Sequence, residues 1–166
     1  MDVRLRPLRD DELDAYVEHG KVWYARDLAE NGGAPPELAK KKSAEDWASM
    51  LPDRLDSPGQ HLFAVEEVAT GGRVGYAWLS ERDMQFQGKV AFVVSIEIDE
   101  RCRGRGFGKQ AMHLLEDEAR ALGLTRVSLN VFGGNEVARG LYRSLGYAEN
   151  AIAMSKVLSG EPTASS

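Results

Sequence analysis

The chain has 166 residues, of which 43% are hydrophobic and 28% charged, and its formal net charge is −5 at pH 7. This length and composition are typical of one globular domain with a sizeable core. The acidic balance argues against nucleic-acid binding, and a lone cysteine excludes an internal disulfide and fits a reducing cytoplasm. The N-terminus lacks a signal-peptide pattern and no apolar run approaches the ~18 residues of a membrane span, so we expect a cytoplasmic protein without a membrane partner.

The first third of the chain predicts a strand and two helices. Val3–Pro7 alternates apolar and basic side chains, as a short strand does. Helical spacing runs over Leu13–Glu30 and stops at Asn31-Gly32-Gly33. A second helix begins at Pro35-Pro36, and the three lysines at 40–42 indicate either its solvated face or a break in it.

The remaining two thirds predict five strands and two helices. The strands are expected at His61–Val68, Val74–Leu79, Val90–Ile98, Thr125–Phe132 and within Tyr147–Leu158, and the helices end at Leu122 and Leu145. Because a helix separates the third of these strands from the fourth, the two should pair in parallel through a right-handed crossover. The predicted fold is an α/β (α+β) domain with a mixed sheet, in the order β-α-α-β-β-β-α-β-α-β over residues 1–158, followed by a disordered tail at 159–166.

A glycine-rich loop lies between the Val90–Ile98 strand and the helix that follows it. Gly104, Gly106 and Gly108 alternate there with Arg105 and Phe107. Alternating glycines let backbone N–H groups converge on one point, and the helix start adds unpaired N–H donors and the positive end of its dipole. The loop therefore predicts an anion site suited to phosphate.

Two other phosphate-binding loops do not fit the spacing. A Walker loop ending at Lys109 would require glycine at position 103 and serine or threonine at position 110, where the chain has Arg103 and Gln110. A dinucleotide loop requires G-x-G-x-x-G, and the glycines here are one residue too close. A surface loop with a few arginines stays open as the plain alternative.

The pattern Arg103-x-x-Gly106-x-Gly108 after a strand resembles the acyl-CoA-binding motif of the GNAT superfamily of N-acetyltransferases. The element order is similar as well, most strongly from Val90 to Val157. The resemblance implies a GNAT-type fold and acetyl-CoA (coenzyme A) as the cofactor. Glu100 departs from the family, in which proline is frequent at that position. The cofactor-binding residues that the resemblance implies are Ile96, Ile98, Arg103, Gly104, Arg105, Gly106, Phe107, Gly108, Lys109, Asn135, Ala138 and Tyr142.

Acyl transfer from a thioester to an amine benefits from a proton donor for the departing thiolate. Tyr142 lies two helical turns after Asn135, and the resemblance implies that it is the general acid. With ordinary pKa values of ~10 for tyrosine and ~8.5 for a thiol, the transfer is uphill by about 2 kcal/mol, which is small against an enzymatic barrier. The alternative is an aromatic side chain at the edge of the core, beside Leu141 and Leu145.

The attacking amine must also lose a proton, and Glu97 is the best candidate to accept it, directly or through water. Strand alternation predicts that Glu97 shares a face with Ala91, Val93 and Ser95. Some members of the family use a glutamate on this strand, and others use no dedicated base. The alternative for Glu97 is a solvated acid or a partner of Arg101. For the developing oxyanion, the resemblance implies a backbone N–H near Ile98.

Other chemistry-bearing side chains carry weaker predictions. His19, His61 and His113 have no metal-ligand spacing, and no metal is expected. Cys102 is interpreted as a packing residue, because direct transfer needs no enzyme nucleophile. Trp78 and Tyr24 are candidates for lining an acceptor pocket, although aromatics at such spacing belong more often to a core.

The sequence therefore predicts an acetyl-CoA-dependent N-acetyltransferase with Tyr142 and Glu97 as catalytic residues. A non-catalytic acyl-CoA-binding or sensor module and a partner-binding domain without cofactor stay open as alternatives. The acceptor is a small-molecule or peptide amine of unspecified identity, and family habit favours a homodimer.

Overall fold

A five-stranded mixed sheet organises the protein, whose computed structural model describes residues 1–158. The strands are β1 (Val3–Pro7), β2 (Gln60–Glu67), β3 (Arg73–Met84), β4 (Gly88–Ile98) and β5 (Val127–Leu129). They lie side by side in chain order, antiparallel from β1 to β4, with β5 parallel to β4. The mixed sheet and its parallel pair confirm the fold class expected from the sequence.

Four helices cover the sheet: α1 (Asp10–Glu30), α2 (Pro36–Met50), α3 (Phe107–Ala121) and α4 (Glu136–Ser144). Proline begins α2 where its missing N–H costs nothing. The helix runs unbroken through its three lysines, which are exposed, and Lys42 pairs with Asp46 one turn later at 3.0 Å. The lysines are therefore the solvated face of one helix.

An ion-pair cluster fixes the connection from β1 into α1. Glu12 accepts the Arg9 backbone N–H at 2.9 Å, which satisfies a donor that the helix start would otherwise leave free. The same carboxylate pairs with Arg6 on β1 at 2.8 Å. Hydrogen bonding to that guanidinium lowers the pKa of Glu12 to about 2.

The sheet separates two hydrophobic cores, as its two faces require. One lies against α3 and includes Phe107, Met112 and Leu115; the other lies against α1 and α2 and includes Tyr16 and Trp47. The second core needs a glycine inside α1, because a Cβ at Gly20 would lie 2.1 Å from the indole ring of Trp47. The glycine-rich loop thus sits on one side of β4 and α1 on the other.

The C-terminal part departs from the prediction. β5 is three residues long instead of the expected Thr125–Phe132, and the segment predicted as a last strand within Tyr147–Leu158 forms no strand. Alternating apolar residues become a strand only beside a sheet edge that supplies hydrogen bonds, and here Met154 and Val157 are exposed. The expected tail at 159–166 lies outside the described residues. Over residues 1–158, no helix combines the length and the apolar character needed to cross a membrane.

Candidate active site

A β-bulge in β4 sets the geometry of the site. Trp78 of β3 pairs with Ser95, whereas Leu79 pairs with Val93, so Val94 is an extra residue on β4. The bulge interrupts the two-residue alternation of the strand. Before it, Val93 packs into the core under α3; after it, Ile96 and Ile98 do so, although their spacing from Val93 is odd.

The predicted face of Glu97 is wrong because of this bulge. The prediction put Glu97, Ser95, Ala91 and Val93 on one face, yet Ala91 and Val93 face α3 while Ser95 and Glu97 contact α1. An extra residue shifts every later side chain to the other face, and a bulge leaves no mark in an apolar run. The Glu97 side chain accordingly faces α1, on the side of the sheet opposite α3.

Beyond the bulge, β4 continues without β5 paired to it, and we call the space along this unpaired edge the cleft. The pairing of the two strands runs only from Ala91 opposite Val127 to Val93 opposite Leu129, while β4 continues to Ile98. The Glu97 carbonyl oxygen points towards β3, since a Cβ on Gly75 would lie 2.1 Å from it.

Because backbone directions alternate along a strand, Ile96 and Ile98 direct their polar backbone groups into the cleft. The Ile98 carbonyl indeed accepts a bond from the Arg103 side chain at 3.0 Å on that side. An extended ligand could pair with such an edge as an added strand would.

The glycine-rich loop closes one end of the cleft. Gly104 (φ 74°) and Gly106 (φ 78°) adopt left-handed conformations, with open space where a Cβ would point. α3 begins at once with Phe107, whose side chain is buried. The start of α3 lies beside the end of β4 and beside α4, since a Cβ at Gly108 would lie in ordinary contact with Ile98 at 3.8 Å and with Leu141 of α4 at 3.7 Å. The free N–H groups of a helix start therefore face the end of β4.

The cationic side chains of the loop differ in whether they are already paired with a carboxylate. Arg105 pairs with Glu67 on β2 and stacks over the Phe107 ring at 4.4 Å. Its hydrogen bond lowers the pKa of the Glu67 carboxyl. Lys109 is exposed in the first turn of α3, where a cation opposes the helix dipole unless an anion is close. Lys109, more than Arg105, is placed to meet a bound anion.

The helix α4 supplies the other side of the cleft. Asn135 caps it, accepting the Ala138 backbone N–H at 3.2 Å. Tyr142, two turns on, is half-buried against the α3-side core. Burial, and secondarily the negative charge of Asp27 on α1, raise the pKa of the Tyr142 phenol. The phenol therefore keeps its proton at neutral pH and is a hydrogen-bond donor.

Helix α1 contacts β4 through two hydrogen bonds that the sequence analysis missed. The Tyr16 hydroxyl lies 3.0 Å from Ser95 Oγ, and His19 Nε2 lies 2.6 Å from Glu97 Oε1. Glu97 is thus a partner of His19 and not of Arg101, with 13% of its side chain exposed. The one sequence signal for His19 is its spacing of one turn from buried Tyr16, which does not name a partner 78 residues away.

The remaining candidates belong to the scaffold. Trp78 is fully buried and donates its Nε1–H to Gln60 at 2.8 Å, so it lines no pocket. Tyr24 donates to Asp46 of α2 at 3.3 Å. Cys102 packs against the α3-side core, as interpreted. Within residues 1–158 no three His, Cys, Asp or Glu side chains are grouped as metal ligands would be.

The fold and the sequence agree with one family. The Acetyltransferase (GNAT) family matches residues 16–147. The uncharacterized N-acetyltransferase YycN of Bacillus subtilis is 32% identical over 158 residues, which cover 95% of this chain and 100% of the relative. The crystal structure of YycN is similar at a TM-score of 0.85 and 31% identity, covering 94% of this chain and 98% of that one. The protein therefore belongs to the GNAT acetyltransferase family.

More distant relatives extend the comparison. Glucosamine 6-phosphate N-acetyltransferase of Arabidopsis thaliana is 27% identical over 99 residues, covering 58% of this chain and 64% of the relative. The acetyltransferase AAC(6')-Iy, solved in complex with the bisubstrate analog CoA-S-monomethyl-acetylneamine, has a TM-score of 0.64 at 17% identity, covering 95% of this chain and 99% of that one. At that identity the likeness concerns the fold.

Proposed function

We propose that the protein transfers an acetyl or other small acyl group from acetyl-CoA to a primary amine by direct attack. The observation that carries this proposal is the cleft beside β4, which has a strand edge along one side and a glycine-cradled helix start at its end. These two features suit the two chemical parts of an acyl-CoA: an amide-containing arm and an anionic pyrophosphate.

The residues of the cleft fit such a molecule. The open space beside Gly104 and Gly106 leaves room for a phosphate to approach the backbone between Arg103 and Lys109. Ile96 and Ile98 would hold the arm through their backbone groups, with Asn135, Ala138 and Tyr142 of the α4 side opposite them. Bound acetyl-CoA supplies an acyl group already activated as a thioester.

Tyr142 would then donate a hydrogen bond to the departing sulfur. Full proton transfer from an ordinary phenol to a thiolate is uphill by about 2 kcal/mol, and burial of Tyr142 increases that cost. The same burial guarantees that the donor is protonated. We therefore assign Tyr142 the stabilisation of developing negative charge, which requires a hydrogen bond and no complete transfer.

Glu97 would draw the proton from the incoming ammonium, directly or through an intermediary. Its carboxylate is held on the α1 side of β4, three residues past the bulge and next to Ile98. The Ile98 backbone N–H, directed into the cleft, is the donor proposed for the developing oxyanion.

The acceptor is proposed only as a class, a small-molecule or peptide amine. Glucosamine 6-phosphate N-acetyltransferase acts on an amino sugar, as its name states. An amine panel for this chain should therefore contain amino sugars and their phosphates, polyamines, and peptides with free N-termini or lysines. We also propose a homodimer, because the apolar side chains of Met154 and Val157 are exposed; light scattering after gel filtration measures the mass.

Thermal unfolding with acetyl-CoA, CoA, NAD and ATP in parallel tests the cofactor. A ligand at about 100 times its Kd adds ~2.7 kcal/mol of stability, which for a domain of this size is a rise of roughly 5–11 °C in Tm. We expect this rise with acetyl-CoA and CoA alone, followed by thiol release with an amine from the panel. No rise with either would contradict the proposal, and a rise without turnover of any amine would favour a non-catalytic acyl-CoA sensor.

A further inference from the structure

The pair formed by His19 and Glu97 is the shortest contact between α1 and the cleft strand. His19 Nε2 and Glu97 Oε1 are 2.6 Å apart, a charge-assisted distance. The pair is held in register by the neighbouring bond of buried Tyr16 to Ser95, one turn earlier on α1 and two residues earlier on β4. The contact is therefore fixed by the packing of the core.

The two members of the pair differ in their access to solvent. The Glu97 side chain is 13% exposed, whereas that of His19 is 54% exposed. A proton taken up at the carboxylate would have to leave through the imidazole or through its own narrow opening. The imidazole is the member that contacts both the carboxylate and bulk water.

We propose that His19 is the catalytic base for the incoming amine and that Glu97 is its positioning residue. This inference rests on the acyl transfer proposed above and assigns the intermediary between the ammonium and Glu97. The chemistry follows from the tautomer that the carboxylate selects. Glu97 accepts the Nε2–H of neutral His19, which leaves a lone pair on Nδ1.

The proton balance of the step is complete. One ammonium proton passes to Nδ1, the amine keeps the electron pair with which it attacks, and the resulting imidazolium is stabilised by the adjacent Glu97 carboxylate. The Nδ1 proton then leaves to solvent through the exposed side of the ring. An imidazole is ordinarily about a hundredfold stronger base than a carboxylate, so it is the better acceptor for an ammonium proton.

The other ionisable groups around the pair do not take over this role. Tyr16 on α1 and Tyr76 on β3 face Glu97, and burial raises the pKa of both phenols, so they stay neutral through the working pH range. The Arg73 guanidinium lies over the Tyr76 ring at 4.3 Å and pairs with Asp99 at 3.1 Å. Beside His19 on α1, Glu18 pairs with Lys21 at 3.0 Å.

The variant His19→Gln removes the proposed base and can keep the hydrogen bond to Glu97. Glutamine can place its amide N–H near the position of Nε2 and still donate to Glu97, but it has no basic lone pair. We expect kcat/KM to fall about 10²–10³-fold, and the limb of its pH profile that reports the enzyme's base to disappear. The rise in Tm with acetyl-CoA should equal that of the wild type.

A matched control and a rescue experiment make the result decisive. His61→Gln alters a second histidine 3.0 Å from a glutamate, Glu81, outside the cleft, and should leave kcat/KM unchanged. Added imidazole should restore part of the activity of His19→Ala, which a purely structural role would not permit. A His19→Gln enzyme with the wild-type rate and pH profile, or a His19→Ala enzyme without rescue, overturns the inference while acyl transfer stands. A wild-type protein that neither binds CoA nor releases thiol overturns the proposed function instead.

Discussion

The two sides of β4 carry different kinds of chemical group, and we call them the α3 wall and the α1 wall after the helix that lies on each side. On the α3 wall, the groups that face the cleft are backbone: the glycine loop, the first N–H groups of α3 and the edge of β4. On the α1 wall, on the other side of the sheet, the corresponding groups are ionisable side chains, with His19 bonded to Glu97 across 2.6 Å. Even Arg105, the most central side chain of the loop, is held by Glu67 on β2.

This difference predicts which wall should be sensitive to backbone changes and which should be sensitive to pH and side-chain substitution. Backbone donors do not titrate, and they are lost only when the chain path changes, so the α3 wall should respond to backbone strain and little to side-chain charge. A hydrogen-bonded imidazole and carboxylate respond to pH and to single-atom changes. Binding of the cofactor and removal of a proton should therefore be separable by mutation.

The largest effect should come from removing charge on the α1 wall. We expect Glu97→Gln to lower kcat about 10²–10³-fold, because the base loses the carboxylate that supports it. The acetyl-CoA rise in Tm should persist, measured by thermal unfolding beside steady-state thiol release. Glu81→Gln is the matched control, since Glu81 is also partly buried (19% exposed) and lies 3.0 Å from a histidine. Equal losses in both variants would contradict a special role for the α1 wall.

Backbone strain on the α3 wall should produce the next largest effect. Gly106→Ala forces a side chain into a left-handed conformation at φ 78°, and Gly123→Ala does the same at φ 76° beyond the other end of α3. Each should lower the free energy of unfolding by about 1–2 kcal/mol. Only Gly106→Ala should weaken acetyl-CoA binding, by at least tenfold in a titration. Parallel losses of affinity would show that the loop has no special part in binding.

Tyr142→Phe tests the side chain that α4 supplies to the cleft. Loss of a hydrogen bond to a charged group is worth about 1.5–3 kcal/mol, so kcat should fall roughly 10–150-fold with acetyl-CoA affinity retained. Tyr147→Phe is the control: Tyr147 packs 6.0 Å from Tyr142, and its hydroxyl donates to Glu116 at 3.1 Å. Tyr147→Phe should lower the free energy of unfolding by about 1 kcal/mol and leave the activity unchanged.

The same two phenols predict the alkaline limit of stability. Burial raises the pKa of both Tyr142 and Tyr147 above the ordinary value of ~10. Below about pH 10 the folded and unfolded states both hold these protons; above it the unfolded state releases them first, so stability falls as the pH rises. Denaturant unfolding at pH 9 to 11 should show a shallower decline in each phenylalanine variant. An unchanged slope would mean that neither phenol contributes.

The smallest effect should come from Arg105→Gln. Because Arg105 is committed to Glu67, its loss should change acetyl-CoA affinity less than threefold. Lys109→Gln should weaken binding more, with a dependence on salt, since Lys109 is exposed at the start of α3. If binding measured over a range of salt concentrations weakened more in Arg105→Gln than in Lys109→Gln, Arg105 would be the residue whose charge binds the cofactor.

Much of the fold could be predicted because its signals are local. Helical spacing gave α1, α3 and α4, and the crossover helix required β5 to run parallel to β4. The last strand failed as a prediction because alternation within Tyr147–Leu158 does not say which edge is available to pair with it.

The sequence by itself determined the glycine loop at the start of α3 and the spacing of Tyr142 from Asn135. Glycine conformation and helical repeat act between residues that are close along the chain. Only the tertiary structure decided the face of Glu97 and its partner. The bulge at Val94 turned the carboxylate towards α1, and the core around Tyr16 brought His19 to it from 78 residues away. Packing between distant elements has no signature in any short stretch of sequence, and so the proposed base became visible only in the folded protein.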